Sequence, residues 1–171
     1  MACFGWGLNQ QGTLYHMYKD RVFTVTEFFP HDGDSGAYRD IIRMDKDCFD
    51  RDERHMPEKG YYWMAFEENA TGKRKDMPVG YCGIEISKLG KQKFGYMNRA
   101  AVMKHARGCG LQKRFIQIRI ARARAEECKF VITNTFENAI SGNNLIKLGF
   151  KLYEPKKPLL ADGTCYWRLE L

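Results

Sequence analysis

Residues 102–112 read VMKHARGCGLQ, and this stretch is the most informative part of the chain. An apolar strand pattern ends at Val102, a basic turn with two glycines follows, and a long helical pattern begins at Gly110. Glycine lets the backbone approach a ligand closely. The first turn of a helix presents unpaired N–H groups and the positive end of the helix dipole. With Arg107 as an added cation, the pattern favours a cradle for phosphate groups.

The glycine turn does not match either of the common nucleotide-binding loops. It lacks the G-x-x-x-x-G-K-[ST] pattern of the P-loop and the G-x-G-x-x-G pattern of dinucleotide-binding folds. Taken alone, two glycines before a helix are equally typical of a tight turn without a ligand. A second stretch, residues 138–150 (NAISGNNLIKLGF), changes the balance, because an asparagine opens a helical pattern that ends in Gly149 and Phe150.

Together the two stretches resemble the signatures of Gcn5-related N-acetyltransferases. Residues 107–112 resemble the acetyl-CoA signature [Q/R]-x-x-G-x-[G/A], and residues 138–150 resemble the second signature, Asn-x-x-[Ala/Ser]-x-x-x-Tyr-x-x-x-Gly-Phe. The two stand in the family's order, with one helix and one strand pattern between them. The resemblance implies an enzyme that transfers an acetyl group from acetyl-CoA, as co-substrate, to an amine on a small molecule or a protein.

The order of the elements predicts one α/β (α+β) domain over residues 1–171. Strand patterns rich in β-branched and aromatic residues lie at 22–29, 61–66, 79–87, 94–103, 130–136, 150–153 and 164–171. Helical patterns lie at 37–49, 110–128 and 138–148. The family implies a mixed, mainly antiparallel sheet of six to seven strands, splayed between strands four and five, with helices on both faces. Residues 1–21 form an extension whose structure the sequence does not predict, and loops at 50–60 and 155–163 would select the acceptor.

The resemblance also implies roles for individual residues. The strand ending at Val102 would pair with the pantetheine arm, and the Val102 N–H would polarise the thioester carbonyl. Asn138 would hydrogen-bond the pantetheine, with Ser141 beside it. The pyrophosphate would be held by the backbone of the turn, which comprises Arg107, Gly108, Cys109, Gly110, Leu111 and Gln112.

Three positions depart from the family pattern. Gln112 stands where the first signature usually ends in glycine or alanine. Leu145 stands where many members carry a tyrosine that protonates the leaving thiolate, and Thr133 stands where some acetyltransferases of protein N-termini carry a glutamate. We therefore expect direct aminolysis, in which positioning and a backbone N–H at the carbonyl oxygen provide the rate.

Four residues are candidates for a substitute acid or base, namely Tyr96, Glu85, Tyr153 and His105. Each has a structural interpretation as well. The tyrosines are equally typical of packed aromatic residues, Glu85 of a solvent-facing strand position, and His105 of a donor to phosphate.

Composition and charge leave other functions open. The chain has 171 residues, 44% hydrophobic and 29% charged, as expected of a globular domain, and its net charge of +7 favours anionic partners. Alternatives are a nucleic-acid-binding protein, an acyltransferase that modifies nucleic acid or aminoacyl-tRNA, and a catalytically weak CoA-binding regulator. The nucleic-acid alternative is motivated by basic residues that we expect on the wetter side of the helix predicted at 110–128. They are Lys113, Arg114, Arg119, Arg122 and Arg124.

The six cysteines are scattered without a C-x-x-C pair, so reduced thiols and no metal site are expected. The beginning of the chain lacks a signal-peptide pattern, and no apolar run is long enough for a membrane span. We therefore expect a cytoplasmic monomer or homodimer without a membrane partner.

Overall fold

The computed structural model describes residues 4–8, 14–28, 35–49, 60–156 and 163–171. These contain three α-helices, ten strands and a short 3-10 turn at Lys104–Ala106. The helices are α1 (Ser35–Phe49), α2 (Leu111–Ala125) and α3 (Ala139–Lys147). The strands are β1 (Phe4–Leu8), β2 (Leu14–Tyr18), β3 (Arg21–Phe28), β4 (Tyr61–Glu68), β5 (Arg74–Leu89), β6 (Gln92–Tyr96), β7 (Ala100–Val102), β8 (Phe130–Phe136), β9 (Lys151–Leu152) and β10 (Thr164–Glu170).

The strands form one mixed sheet in the order β1-β2-β3-β4-β5-β6-β8-β10-β9, with β7 also paired to β5. The β6–β8 pair is parallel, and the other pairs are antiparallel. This confirms the predicted mixed, mainly antiparallel sheet. The strand count exceeds the expected six to seven because residues 4–18 add a hairpin and because the predicted strand at 94–103 is divided into β6 and β7.

Helices cover both faces of the sheet, as predicted. Side chains alternate between the two faces of a strand, and the two buried clusters follow this alternation along β4. Trp63 and Ala65 belong to a cluster that includes the buried face of α2. Met64 and Phe66 belong to a second cluster with Ile41 and others of α1. The sheet therefore separates α1 from α2.

A bulge between β6 and β7 opens the sheet. Tyr96 lies opposite Glu85, and Ala100 lies opposite Cys82. The three residues between Tyr96 and Ala100 therefore face only two residues of β5. Up to this point β6 runs beside β8, and the Met97 N–H still donates to the carbonyl of Ile132. Beyond it, β7 follows β5 while β8 pairs with β10, so the two strands part. This is the predicted splay between the fourth and fifth strands.

The prediction that the basic residues of α2 lie on its wetter side is wrong for two of them. Arg114 is 5% exposed and Arg119 is 4% exposed. The Arg119 guanidinium donates to the carbonyls of Gly83 and Asn98, both at 3.4 Å, which flank the bulge. Burial lowers the pKa of Arg119. The charged group therefore binds backbone carbonyls inside the fold, because the bulge leaves these carbonyls without partners in the strand ladder.

All five described cysteines carry free thiols, namely Cys48, Cys82, Cys109, Cys128 and Cys165. Cys3 lies outside the described residues. None of the described helices combines the length and apolarity that crossing a membrane requires. In the same part of the chain, no cluster of three or more His, Cys, Asp or Glu side chains could hold a metal ion. Most of the two loops expected to select the acceptor lies outside the described residues.

Candidate active site

The glycine turn leads directly into α2. Gly108 has φ +77° and Gly110 has φ +78°, both in the left-handed region that L side chains disfavour. Gly110 is the N-cap of α2 and makes no side-chain cap. The N–H groups of the first helical turn therefore remain available to an anion. A Cβ at Gly108 would meet no atom within 4 Å, so this residue borders open space.

Gln112 is the last residue of the first signature, at the position where the family usually has glycine or alanine. The Gln112 side chain donates to Ser141 Oγ at 2.5 Å and accepts from Asn144 Nδ2 at 2.8 Å, so it joins α2 to α3. The residue that departs from the signature thus adds a contact between the two helices.

A cavity of about 700 Å³ lies over the turn, bounded by β7, α2 and the start of α3. It brings together every residue expected to bind the cofactor except Cys109. These residues are Val102, Arg107, Gly108, Gly110, Leu111, Gln112, Asn138 and Ser141. The Cys109 side chain is buried in the core cluster instead. Lys113 and Arg114 also line the cavity, so its charge suits an anionic ligand.

The backbone of β7 faces the gap left by the splay. The carbonyl of Arg99 and the N–H of Met103 are bonded to β5, at 3.0 and 2.8 Å. Because backbone groups alternate in direction along a strand, those of Ala100 and Val102 point away from β5. The Val102 carbonyl accepts from Arg107 Nε at 3.0 Å, so the Arg107 side chain lies along this edge rather than at the turn.

Asn138 holds the start of α3. Its side-chain oxygen accepts from the Ser141 N–H at 2.9 Å, which is a standard N-cap bond. The residue expected to bind pantetheine thus also fixes the helix that borders the cavity.

Three of the proposed acid–base residues come together away from this cavity. The Tyr96 hydroxyl donates to Asn134 Oδ1 at 2.9 Å, and Glu85 lies opposite Tyr96 in the β5–β6 ladder. The Tyr153 ring contacts the Tyr166 ring edge-on, with centroids 6.2 Å apart. Burial, together with Glu85, Tyr166 and Tyr153, raises the pKa of Tyr96. These groups define what we call the tyrosine cluster: Glu85, Tyr96, Tyr153 and Tyr166.

The remaining positions named from the sequence have structural contacts. Leu145 is 3% exposed and packs in the main core rather than in the cavity wall. The Thr133 hydroxyl donates to the carbonyl of Met97 at 2.8 Å, next to the bulge. His105 is exposed, and its carbonyl accepts from Arg21 at 3.0 Å.

Two contributors to the site were missed from the sequence. His16 of β2 lines the cavity, and its Nε2 lies 2.6 Å from the carbonyl oxygen of Cys109. Arg21 of β3 reaches the turn from the same side and is held by Glu67 at 2.6 Å. The one available signal was the strand propensity of the surrounding residues 14–18, LYHMY, which carries no motif.

Comparison with known proteins identifies the family of the chain. Residues 25–150 match the acetyltransferase (GNAT) family, and the chain belongs to that family. It is thus an acyltransferase of the type that uses acyl-CoA. No protein of curated function matches the sequence.

Solved structures share the fold at low sequence identity. A chain of the NatC complex bound to Gag peptide and CoA has a TM-score of 0.67 and 18% identity, covering 86% of this chain and 98% of that one. NAA60 of Arabidopsis thaliana, in complex with a bisubstrate analogue, has a TM-score of 0.64 and 13% identity, covering 86% and 97%. An acetyltransferase of the GNAT family from Staphylococcus aureus has a TM-score of 0.62 and 14% identity, covering 86% and 98%.

Proposed function

We propose that the chain transfers an acetyl group from acetyl-CoA to an amine by direct aminolysis of the thioester. The observation that supports this most is the left-handed glycine turn at the start of α2, which opens onto the cavity of about 700 Å³ beside β7. This arrangement offers an anion site and an exposed strand edge in one continuous space. A nucleotide joined to an amide-containing arm has the complementary chemistry.

The cofactor would lie along the cavity in three parts. The pyrophosphate would accept from the N–H groups of the turn and of the first turn of α2. The pantetheine amides would pair with the backbone of Ala100 and Val102. For this, Arg107 must release the Val102 carbonyl, after which its cation can turn to a phosphate. The thioester would then reach the gap between β7 and β8.

In the reaction, the lone pair of a neutral amine forms the new C–N bond, and the C–S bond breaks with its electron pair leaving on sulfur. The Val102 N–H would polarise the carbonyl oxygen. The amine proton passes to solvent and the thiolate takes one up, which gives free CoA. A tyrosine phenol is protonated at neutral pH, and the raised pKa of Tyr96 favours that form further, so Tyr96 is a candidate proton donor and not a base.

The acceptor is an amine on a small molecule or a protein. The nucleic-acid alternatives lose part of their support, because Arg114 and Arg119 are buried and cannot contact a nucleic acid. The cytoplasmic location, the oligomeric state and the single domain over residues 1–171 stay predictions.

Calorimetric titration of the folded protein with CoA and acetyl-CoA tests the proposal, together with thiol release in the presence of a panel of amines. We expect one cofactor per chain and thiol release that depends on the amine. Folded protein that binds neither ligand would refute the proposed function. Binding without amine-dependent turnover would instead favour the CoA-binding regulator.

A further inference from the structure

Side chains of the hairpin formed by β2 and β3 bind backbone carbonyls of the glycine turn. His16 is 7% exposed, and its Nε2 lies 2.6 Å from the carbonyl oxygen of Cys109. Arg21 donates from Nη1 to the carbonyl of His105 at 3.0 Å. Two carbonyls of the turn are thus bound by side chains that lie about ninety residues earlier in the chain.

The contact at Cys109 determines which way the next peptide group faces. A peptide unit is planar and trans, so the Cys109 carbonyl and the Gly110 N–H point in opposite directions. With the carbonyl fixed to His16, the Gly110 N–H points away from the hairpin. Glycine at 110 accepts both signs of φ, so without this bond the peptide could turn over. It would then present an oxygen, and not an N–H, to a bound phosphate.

The chemistry of His16 suits this role. A carbonyl oxygen only accepts, so the proton is assigned to Nε2. Burial, as the largest effect, and the nearby Arg114 lower the pKa of His16, whereas its bond to the Cys109 carbonyl opposes them. The imidazole is therefore a neutral donor near neutral pH, and it lines the cavity.

We propose that His16 is a positioning residue for the cofactor, holding the Cys109–Gly110 peptide with its N–H directed at the pyrophosphate. The inference rests on the proposed use of acetyl-CoA. It assigns the hairpin of β2 and β3 a function in the cofactor site beyond extending the sheet.

The test compares His16→Leu, which removes the donor, with His16→Gln, whose amide nitrogen can replace Nε2. Met17→Ala is the control, since Met17 is an exposed neighbour on the same strand. We expect His16→Leu to raise the Kd for CoA and the KM for acetyl-CoA about tenfold with little change in kcat, which corresponds to the loss of about one hydrogen bond from the Gly110 N–H to the pyrophosphate. His16→Gln should restore most of the affinity, and Met17→Ala should match wild type.

A second donor separates positioning from general damage to the fold. Acetyl-pantetheine has the thioester but no pyrophosphate, so kcat/KM with this donor should be the same for wild type and His16→Leu. An equal loss with both donors, or wild-type CoA affinity in His16→Leu, would overturn the inference. If the Leu variant does not fold, His16→Asn replaces it, because its shorter amide cannot reach Cys109; equal CoA affinity of the Asn and Gln variants would then count against the role. Absence of CoA binding by wild type would refute the proposed function itself.

Discussion

Replacing Gly110 with valine is expected to weaken cofactor binding by about a hundredfold or more while the chain stays folded. Gly110 has φ +78° and ψ 3° at the N-cap of α2. An L residue pays about 1–2 kcal/mol in this region, and a β-branched residue is an outlier there. We expect the free energy of unfolding to fall by about 1–3 kcal/mol. For a chain of this length, that lowers Tm by about 2–12 °C.

The expected loss of affinity is larger than the loss of stability would suggest. A hydrogen bond to a charged group contributes about 1.5–3 kcal/mol. If the strained turn withdraws the Gly110 N–H and one further N–H of α2 from the pyrophosphate, the loss is at least about 3 kcal/mol, or about a hundredfold in Kd. The valine side chain would also occupy part of the space where the phosphates approach the backbone.

Gly72→Val is the matched control for backbone strain. Gly72 has φ +74° in the turn between β4 and β5, and a Cβ there would meet no atom within 4 Å. This variant should lose comparable stability but bind CoA like wild type. Differential scanning calorimetry and calorimetric titration on the same samples measure both quantities. Wild-type CoA affinity in Gly110→Val, or an equal loss in Gly72→Val, would refute the reasoning.

Three further predictions concern the chemistry and the stability of the site. Cys109→Ala should retain most transfer activity, and an acetylated Cys109 found by mass spectrometry would instead indicate a covalent intermediate. Tyr96→Phe should lower kcat less than about tenfold; a loss of about a hundredfold with intact CoA binding would identify Tyr96 as the general acid. Arg21 and Lys75 lower the pKa of Glu67 to about 2, so Glu67 stabilises the fold above pH 4.5 and loses this effect as the pH falls from 4.5 to about 2. Glu67→Gln should flatten this part of the stability curve, as urea denaturation between pH 2 and 7 would show.

Elements with strong local patterns were predictable from the sequence. The strand predicted at 130–136 coincides with β8, because its residues FVITNTF combine β-branched and aromatic side chains between turn residues. The turn into α2 was predictable because its glycines and the following helical pattern are adjacent in the chain. Helix α3 was identified by Asn138 at one end and Gly149, with φ +89°, at the other.

Contacts between distant parts of the chain were not predictable in the same way. The position of His16 beside Cys109 depends on the pairing of β2 with β3, and both strands are far from the turn in sequence. The helical pattern did not predict the burial of Arg119, because an analysis of periodicity treats every arginine as polar, whatever it binds. Leu145 shows the same limit: the alignment named the tyrosine that it replaces, but the packing of α3 that buries Leu145 in the core has no local signal in the sequence.

The buried arginine and the open sheet are physically connected. A bulge that parts β7 from β8 leaves carbonyls without ladder partners, and an unpaired buried carbonyl costs about 1–3 kcal/mol. Water cannot easily satisfy these groups beneath α2, whereas the Arg119 guanidinium reaches both Gly83 and Asn98. The gap proposed to admit the thioester is therefore stabilised by a cation on the helix whose first turn is proposed to hold the phosphates. One helix then supports both ends of the proposed cofactor site, because its amino terminus would face the anion while Arg119 in its middle binds the carbonyls at the bulge.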